Sequence, residues 1–341
     1  MVLFSFVILC YNNKSFLKDL IKSIKQQSIK SFEVIFVDNA STDSSVEYIK
    51  KNMPKAKIIA LKSNVWFCKG NNIGYSHANG KYVIVSNSDV IFPKDYLSNI
   101  NKKFIEYQSA GIISSIQIPF NTTLKKTKIY MGGWLFPSPL VYAPAKMDTV
   151  KLNVMSGACF AIKNKIVDHL YLDESVVYDD ESFLSMQILT KGYEIIGSKD
   201  IFVWHYNQGS SQGIDSAFKT FMIHRNTIKH FLISFNKRTI LALLPFIIFR
   251  EIYLDLIMIN TPRNLISKQK ANLNILYKIN EIIKEKKSIQ KKRKITDKIV
   301  IEIFTTGEIN QLKGKKRIGG FTYILWIKKY FLFLLKIGFW N

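Results

Sequence analysis

The first 90 residues alternate between short apolar runs and amphipathic stretches. Val2–Leu9 is a β-rich apolar run, and from Ser15 to Gln26 the apolar residues Phe16, Leu17, Leu20, Ile21 and Ile24 recur at helical spacing. Phe32–Val37 predicts a second buried strand, Ser44–Lys51 a helix and Ala56–Leu61 a third strand. Asn71–Asn79 reads as a helix and Tyr82–Ser86 as a fourth strand. Strands that are apolar throughout, joined by helical crossovers, imply a mostly parallel sheet covered on both faces. From Ile112 to Phe202 the pattern is mixed. Turn residues (Gly132, Gly133, Pro137, Pro139) and a helix near Glu181–Lys191 continue the same domain in α+β form. After Ser216 the chain reads as helical, with Leu273, Leu276, Ile279 and Ile283 marking a helix over Ala271–Ile283 and a solvated charge run over Lys284–Lys294. The expected organisation is a catalytic unit over residues 1–215, divided into halves 1–110 and 111–215, and a helical basic region over 216–341.

Charge adds a second layer. The 341 residues carry 49 Lys and Arg against 25 Asp and Glu, a net charge of +24. From Arg263 to Asn341 there are 19 Lys and Arg against 5 Asp and Glu, so +14 of that excess lies in the tail. Nucleic acid and anionic lipid are the two partners such a tail suits. The chain has no zinc, helix-turn-helix or RNA-recognition signature, and its cations are interspersed with apolar residues, which favours lipid and leaves no nucleic-acid partner expected. Phe321–Trp340 is long and aromatic, and on a helix its Lys328, Lys329 and Lys336 share an arc of about 100°. That suits lying in a membrane interface, with Lys313, Lys315, Lys316 and Arg317 adding attraction to anionic headgroups. Ile240–Phe249 is apolar, but Arg250, Glu251 and Asp255 follow too soon for a spanning helix, so it reads as a helix packed on the catalytic unit. Cys10, Cys68 and Cys159 lie far apart in apolar stretches, as buried thiols of a reducing compartment would. No basic n-region precedes the first apolar run, so no secretory signal is expected.

The candidate chemistry lies at the carboxyl ends of the predicted strands, where ligands of such sheets bind. Strand one runs into Tyr11-Asn12, strand two into Asp38-Asn39-Ala40-Ser41-Thr42-Asp43, and strand four into Ser86-Asn87-Ser88-Asp89-Val90. A carboxylate such as Asp38 can accept hydrogen bonds from a base or ribose. Asp89 offers a hard oxygen to Mg2+ or Mn2+, which would neutralise a diphosphate. Asp179, Asp180 and Glu181 form an acidic cluster in which mutual repulsion raises the proton affinity of one member, as a general base requires. The same acids also suit the opening turn of a helix. No G-x-G-x-x-G follows strand one, which argues against a dinucleotide-dependent oxidoreductase.

These segments, in this order and with Asn64 and Gly70-Asn71-Asn72-Ile73-Gly74 between them, resemble family 2 glycosyltransferases of the GT-A fold. The likeness is to the bacterial branch that includes rhamnosyltransferases of surface-polysaccharide assembly. It continues through Ser156-Gly157-Ala158, Tyr178-Asp179-Asp180-Glu181, Lys191-Gly192-Tyr193, Val203-Trp204-His205, Gly209-Ser210-Ser211 and Arg225-Asn226, spanning about residues 3 to 230. The resemblance implies that Tyr11 and Asp38 hold the base and ribose, with Asn12, Asn39, Asn64, Asn72, Asn87 and Gly157 also lining the nucleotide-sugar site. It implies Asp89 as the metal ligand, with Asn87 at the first acidic position of the Asp-X-Asp-type motif and His205 near metal and diphosphate. Asp180 or Glu181 would be the base. Trp66 stands where the family usually has glycine, Glu181 where it often has Asp, and Gln187 where it often has Arg. The implied activity is inverting transfer of a sugar, rhamnose by branch, from a UDP- or dTDP-sugar to a glycan or lipid-linked acceptor at the cytoplasmic face of the membrane. The rival reading is a basic nucleic-acid- or membrane-binding protein with a degenerate transferase-like domain. Intact Asp38, Asp89 and Asp180 argue against it.

Overall fold

The computed structural model describes residues 2–120, 129–132, 141–143, 149–152, 154–178, 180–206, 215–306 and 329–340. Asp179, Gly133, Pro137, Pro139, Gly209-Ser210-Ser211, Lys313, Lys315, Lys316, Arg317 and residues 321–328, all singled out above, lie outside them.

Four parallel strands form the first half of the sheet: β1 (Phe4–Cys10), β2 (Phe32–Asp38), β3 (Lys57–Ala60) and β4 (Tyr82–Asn87), in the order β3-β2-β1-β4. Helices α1 (Lys14–Lys25), α2 (Ser45–Asn52) and α3 (Trp66–Ser76) are the crossovers. Successive residues of a strand face opposite sides of the sheet, and both sides of β1 are covered. Phe4, Phe6 and Ile8 pack with Leu17, Leu20 and Ile24 of α1, while Val7 packs with Ile35, Val83 and Val85 under α3. The glycines of α3 set how closely it lies on the sheet. A Cβ on Gly74 would stand 2.4 Å from Val7 Cγ1 and 2.9 Å from Val37 Cγ2, and one on Gly70 would meet Leu9 Cδ1 at 2.5 Å.

Beyond β4 the sheet becomes mixed. After β5 (Val90–Ile91) and α4 (Tyr96–Glu106), β6 (Ala110–Pro119) lies parallel to β11 (Glu194–His205), and β10 (Cys159–Lys163) is inserted antiparallel between β4 and β6. The short strands β7 (Ile129–Gly132), β8 (Val141–Ala143) and β9 (Thr149–Leu152) add to the margin, β9 and β5 both running antiparallel to β11. Helix α5 (Asp180–Thr190) packs beneath β11.

Helices α6 (Ser216–Ser234), α7 (Lys237–Ile257), α8 (Pro262–Tyr277), α9 (Ile279–Lys291) and α10 (Asp297–Thr306) follow, and among the described residues, 329–336 are also helical. Asp215 caps α6 by accepting from Ala217 N and Phe218 N, and Asn236 caps α7 by accepting from Thr239 N. The stretch 271–283, expected as one helix, is divided at Lys278, where the chain passes from α8 to α9. The charge run 284–294 continues α9 to Lys291 and then turns back, with Lys294 N and Ile295 N both donating to Thr190 O at the end of α5. Among the described residues no helix is long and apolar enough to cross a membrane.

Candidate active site

The strand register brings the first candidates together. Cys10 pairs with Asp38 and Leu9 with Asn87, so Asp38 and Asn87 flank the end of β1, about 10 Å apart at two strand spacings. Asp38 is buried. Its Oδ2 accepts from Ser41 N at 3.1 Å, and Oδ1 is buried with no protein partner. A carboxylate oxygen left bare in this way costs stability unless a ligand donor meets it. Tyr11 is half-buried at the same edge.

The asparagines of this edge are engaged with backbone. Asn12 Oδ1 accepts from Thr42 N at 2.7 Å, while Asn12 N donates to Ser41 Oγ at 3.0 Å, which ties the loop after β1 to the loop after β2. Asn39 Oδ1 accepts from Val65 N, and its amide donates to Asn64 Oδ1, which also accepts from Trp66 N, all at 2.8 Å. These bonds hold the entry to α3, which begins at Trp66 rather than at Asn71. Trp66 has φ +66°, a left-handed conformation that favours glycine. Its exposed ring stacks on Phe218 of α6 at 5.5 Å. Asn72 Oδ1 accepts from Leu170 N and Tyr171 N at 2.9 and 3.0 Å, and its amide donates to Tyr171 O at 2.7 Å.

Asp89 and His205 meet. Tyr206 N donates to Asp89 O at 3.0 Å, and the ring of His205 lies with Nε2 3.0 Å from Asp89 Oδ1. On its other side, His205 Nδ1 is 3.0 Å from Gln117 Oε1, an acceptor, which sets Nδ1 as the donor. A neutral imidazole in that tautomer turns its Nε2 lone pair toward a carboxylate oxygen, and a divalent cation beside both would resolve this contact. Asp89 Oδ2 is buried with no protein partner. Asp89 and His205 could be two ligands of a divalent cation whose remaining positions are taken by water and diphosphate oxygens. Among the described residues no three His, Cys, Asp or Glu side chains gather into an all-protein metal cage.

The acids of α5 lie across Gly157. Asn87 N donates to Ala158 O at 2.9 Å, and a Cβ on Gly157 would stand 2.1 Å from Glu181 Oε1. Gly157 is therefore the floor on which the Glu181 side chain rests. Asp180 is buried beside it in the first turn of the helix, where the backbone dipole favours negative charge. Burial, and then the charges of Asp180 and Glu181, push the Tyr171 phenol well above its ordinary value.

Two residues without an assigned role in the sequence prove central to this geometry. Gln117 fixes His205. Asn226 of α6, fully buried, has its amide nitrogen 2.8 Å from Ser175 O, 3.1 Å from Val177 O and 2.7 Å from Tyr178 O, and so fastens the loop that leads into Asp180. Arg225 donates to Asn226 Oδ1 from both Nε and Nη2, at 3.1 and 2.8 Å, fixing which end of the amide faces the loop. Gln117 is one polar residue in an apolar strand, and Asn226 lies in the Arg225-Asn226 pair, so only the pair carried a signal.

Residues 5–171 match the family model described as Glycosyl transferase family 2. Glycosyltransferase GlyA of Streptococcus pneumoniae is 30% identical over 105 residues, covering 30% of this chain and 15% of GlyA. The UDP-Glc:alpha-D-GlcNAc-diphosphoundecaprenol beta-1,3-glucosyltransferase WfaP of Escherichia coli is 24% identical over 245 residues, covering 70% of this chain and 91% of WfaP. A crystal structure of GalNAc-T7 with UDP, GalNAc and Mn2+ superposes with a TM-score of 0.56 at 16% identity, over 70% of this chain and 49% of that one. The match spans 15% of GlyA and 25% of the glycosyltransferase RC0461 of Rickettsia conorii, the first curated relatives. The fold is of the GT-A type, and the matches support a family 2 glycosyltransferase.

Proposed function

We propose, from a chain whose residues 5–171 match family 2 glycosyltransferases, that this protein transfers a sugar with inversion from a nucleotide-diphosphate donor to a hydroxyl of a glycan or lipid-linked acceptor. The observation that carries the reading is the bare buried oxygens of Asp38 and Asp89 on the sheet edge beside which Gly157 seats the α5 acids. Asp38 accepts hydrogen bonds from the base or ribose, and Tyr11 lies against them. Asp89 and His205 would hold Mg2+ or Mn2+, which would supply positive charge to the leaving diphosphate. Asp180 takes the proton of the acceptor hydroxyl as its oxygen bonds to the anomeric carbon, while the electron pair of the broken carbon–oxygen bond departs with the diphosphate. Glu181 is the second candidate for that proton. Asn12, Asn39, Asn64 and Asn72 position loops rather than reactants.

WfaP is named for a UDP-glucose donor and a lipid-diphosphate acceptor, which makes UDP-sugars the first donors to test and supports an acceptor at the membrane surface. Rhamnose rests on the branch resemblance alone. The basic tail supports a peripheral position at the cytoplasmic face.

The test is a thermal-shift screen of UDP- and dTDP-sugars with Mg2+ or Mn2+, since a ligand that binds the native state raises its melting point. A shift with at least one donor is expected. No shift with any of them would end the reading. Asp180→Asn should then abolish transfer and keep the donor-induced shift, and an active Asp180→Asn protein would remove Asp180 as the base.

A further inference from the structure

Helix α7 is built inside out. Beyond its first turn, its charged residues Arg250, Glu251 and Asp255 turn toward the protein. Arg250 is buried, Glu251 Oε2 lies 2.9 Å from both His224 Nε2 and Lys268 Nζ, and Asp255 Oδ1 lies 2.6 Å from the fully buried Lys268 Nζ. One face packs inward through Leu243, Phe246 and Ile247, while a second apolar face points outward. Leu241, Leu244, Ile248, Ile252 and Leu256 recur at steps of three and four, and each is at least 42% exposed. Phe249 and Tyr253 stand beside this stripe with ring centroids 6.5 Å apart. The stripe runs about 22 Å along the helix at 1.5 Å per residue, without a charge on it. A water-facing helix places these two kinds of residue the other way round.

We infer that the outer face of α7 seats on the surface of an anionic lipid bilayer, lying in the headgroup region with its stripe in the acyl boundary. The charge around the stripe selects lipid. Exposed Lys237 and Arg238 stand at its first turn, and Arg263, 78% exposed at the side chain, follows its end. The segment 329–340 packs against α7 through Tyr330, whose hydroxyl donates to Ala242 O at 3.0 Å. It brings exposed Leu332, Phe333 and Ile337 next to α7, with Lys329 and Lys336 exposed among them. Apolar side chains bordered by cations match acyl chains bordered by phosphates. The ion pairs explain how a helix with Arg250, Glu251 and Asp255 can lie on lipid: Arg250 and Glu251 are held against the protein, and Asp255, 41% exposed at the side chain, is paired with the buried Lys268. This site is centred on α7, with residues 329–340 at its margin, rather than on the segment 321–341 that composition singles out. It rests on the proposed membrane-surface reading only for its biological purpose, and its test does not depend on sugar transfer.

The test uses the full chain and vesicles of phosphatidylglycerol mixed with phosphatidylcholine. The parent protein should pellet with them and not with pure phosphatidylcholine. Ile248→Glu/Ile252→Glu should lower the partition at least tenfold, with an unchanged melting temperature and an unchanged shift on adding a UDP-sugar. A nitroxide on Leu244→Cys, selective because the three native cysteines are buried, should become accessible to oxygen and shielded from a water-soluble nickel relaxant when vesicles are present. Equal pelleting of the double variant overturns the inference. So does a vesicle-bound protein whose Leu244 label stays aqueous, because docking then occurs elsewhere on the chain. A parent that sediments as a dimer and a double variant that sediments as a monomer would give the face to a second copy and also overturn it. A failed donor shift with intact vesicle binding would end the transferase reading and leave this one standing.

Discussion

Replacing Asn226 by alanine isolates how the α5 acids are positioned. The side chain is fully buried and its amide nitrogen faces the carbonyls of Ser175, Val177 and Tyr178. An amide has two protons, so three acceptors share two hydrogen bonds. At about 1 kcal/mol net each they contribute about 2 kcal/mol, and leaving buried carbonyls without donors adds roughly 1 kcal/mol or more. Opposing them, Val176 at φ +64° and Tyr178 at φ +71° occupy the left-handed region, at a cost of roughly 1–2 kcal/mol per residue. Clamp and strain are therefore comparable, and without the clamp the loop before Asp180 relaxes. Asn226→Ala should lose about 2–3 kcal/mol in chemical denaturation, on that same hydrogen-bond arithmetic. Turnover should fall at least tenfold, while the donor KM changes little because Asp38 and Asp89 stand on other elements. Adding Val176→Gly should recover part of both losses, since glycine adopts positive φ without strain. Turnover within twofold of the parent in Asn226→Ala, or no rescue by glycine, would refute the clamp.

Other substitutions test neighbouring parts. Gly157→Ala places a methyl where Glu181 Oε1 now lies, and because that atom ends a flexible side chain the fold should hold while Glu181 moves. Its melting point should stay near the parent's, and any fall in kcat reports on Glu181. An unchanged kcat would leave the proton to Asp180 alone. The Glu251 carboxyl gives a pH signature. Burial alone would raise it, but the hydrogen bond and charge of His224, with Lys268 and Arg250, bring it from 4.5 to about 2. A depressed carboxyl contributes stability that is fully present above about pH 4.5 and lost as pH falls toward 2, here on the order of 3 kcal/mol. Denaturation of Glu251→Gln should show a flatter dependence across that window, and a parental slope would contradict the assignment.

The first half of the fold was legible because its signals are local. Apolar runs such as Phe32–Val37 and turn residues after them mark strand and strand end without help from elsewhere in the chain. Where partners lie far off in sequence, the reading drifted. Helix α3 starts at Trp66 because Asn39 and Asn64 hold its entry. The outward face of α7 was invisible because Arg250, Glu251 and Asp255 look like a solvent face until His224 and Lys268 are seen to occupy their other side. Asp38, Asp89 and Asp180 could be picked out because each follows or opens an element, while Gln117 could not, since only the return of β11 beside β6 gives it His205 to hold.

Backbone strain and side-chain amides share a location in this molecule. Of the seven non-glycine residues at positive φ among the described residues, Asn12, Ala40, Trp66, Val176 and Tyr178 lie in the loops around the candidate site. Strain of this kind persists only where surrounding structure overdetermines it. Here the surrounding structure is largely asparagine. Asn12 holds the 41–42 turn, Asn39 and Asn64 hold Trp66, and Asn226 holds 175–178. An aspartate is nearly the same size but brings only acceptors, so it could not donate to the carbonyls of the 175–178 loop or replace the Asn39–Asn64 bond. The asparagines that resemblance assigns to the donor thus have a prior structural duty. Asp38 uses one oxygen on the turn at Ala40, through Ser41 N, and keeps the other bare. A division of labour between amides that shape the edge and acids that keep an oxygen bare is consistent with the donor and acceptor inventory of the two groups.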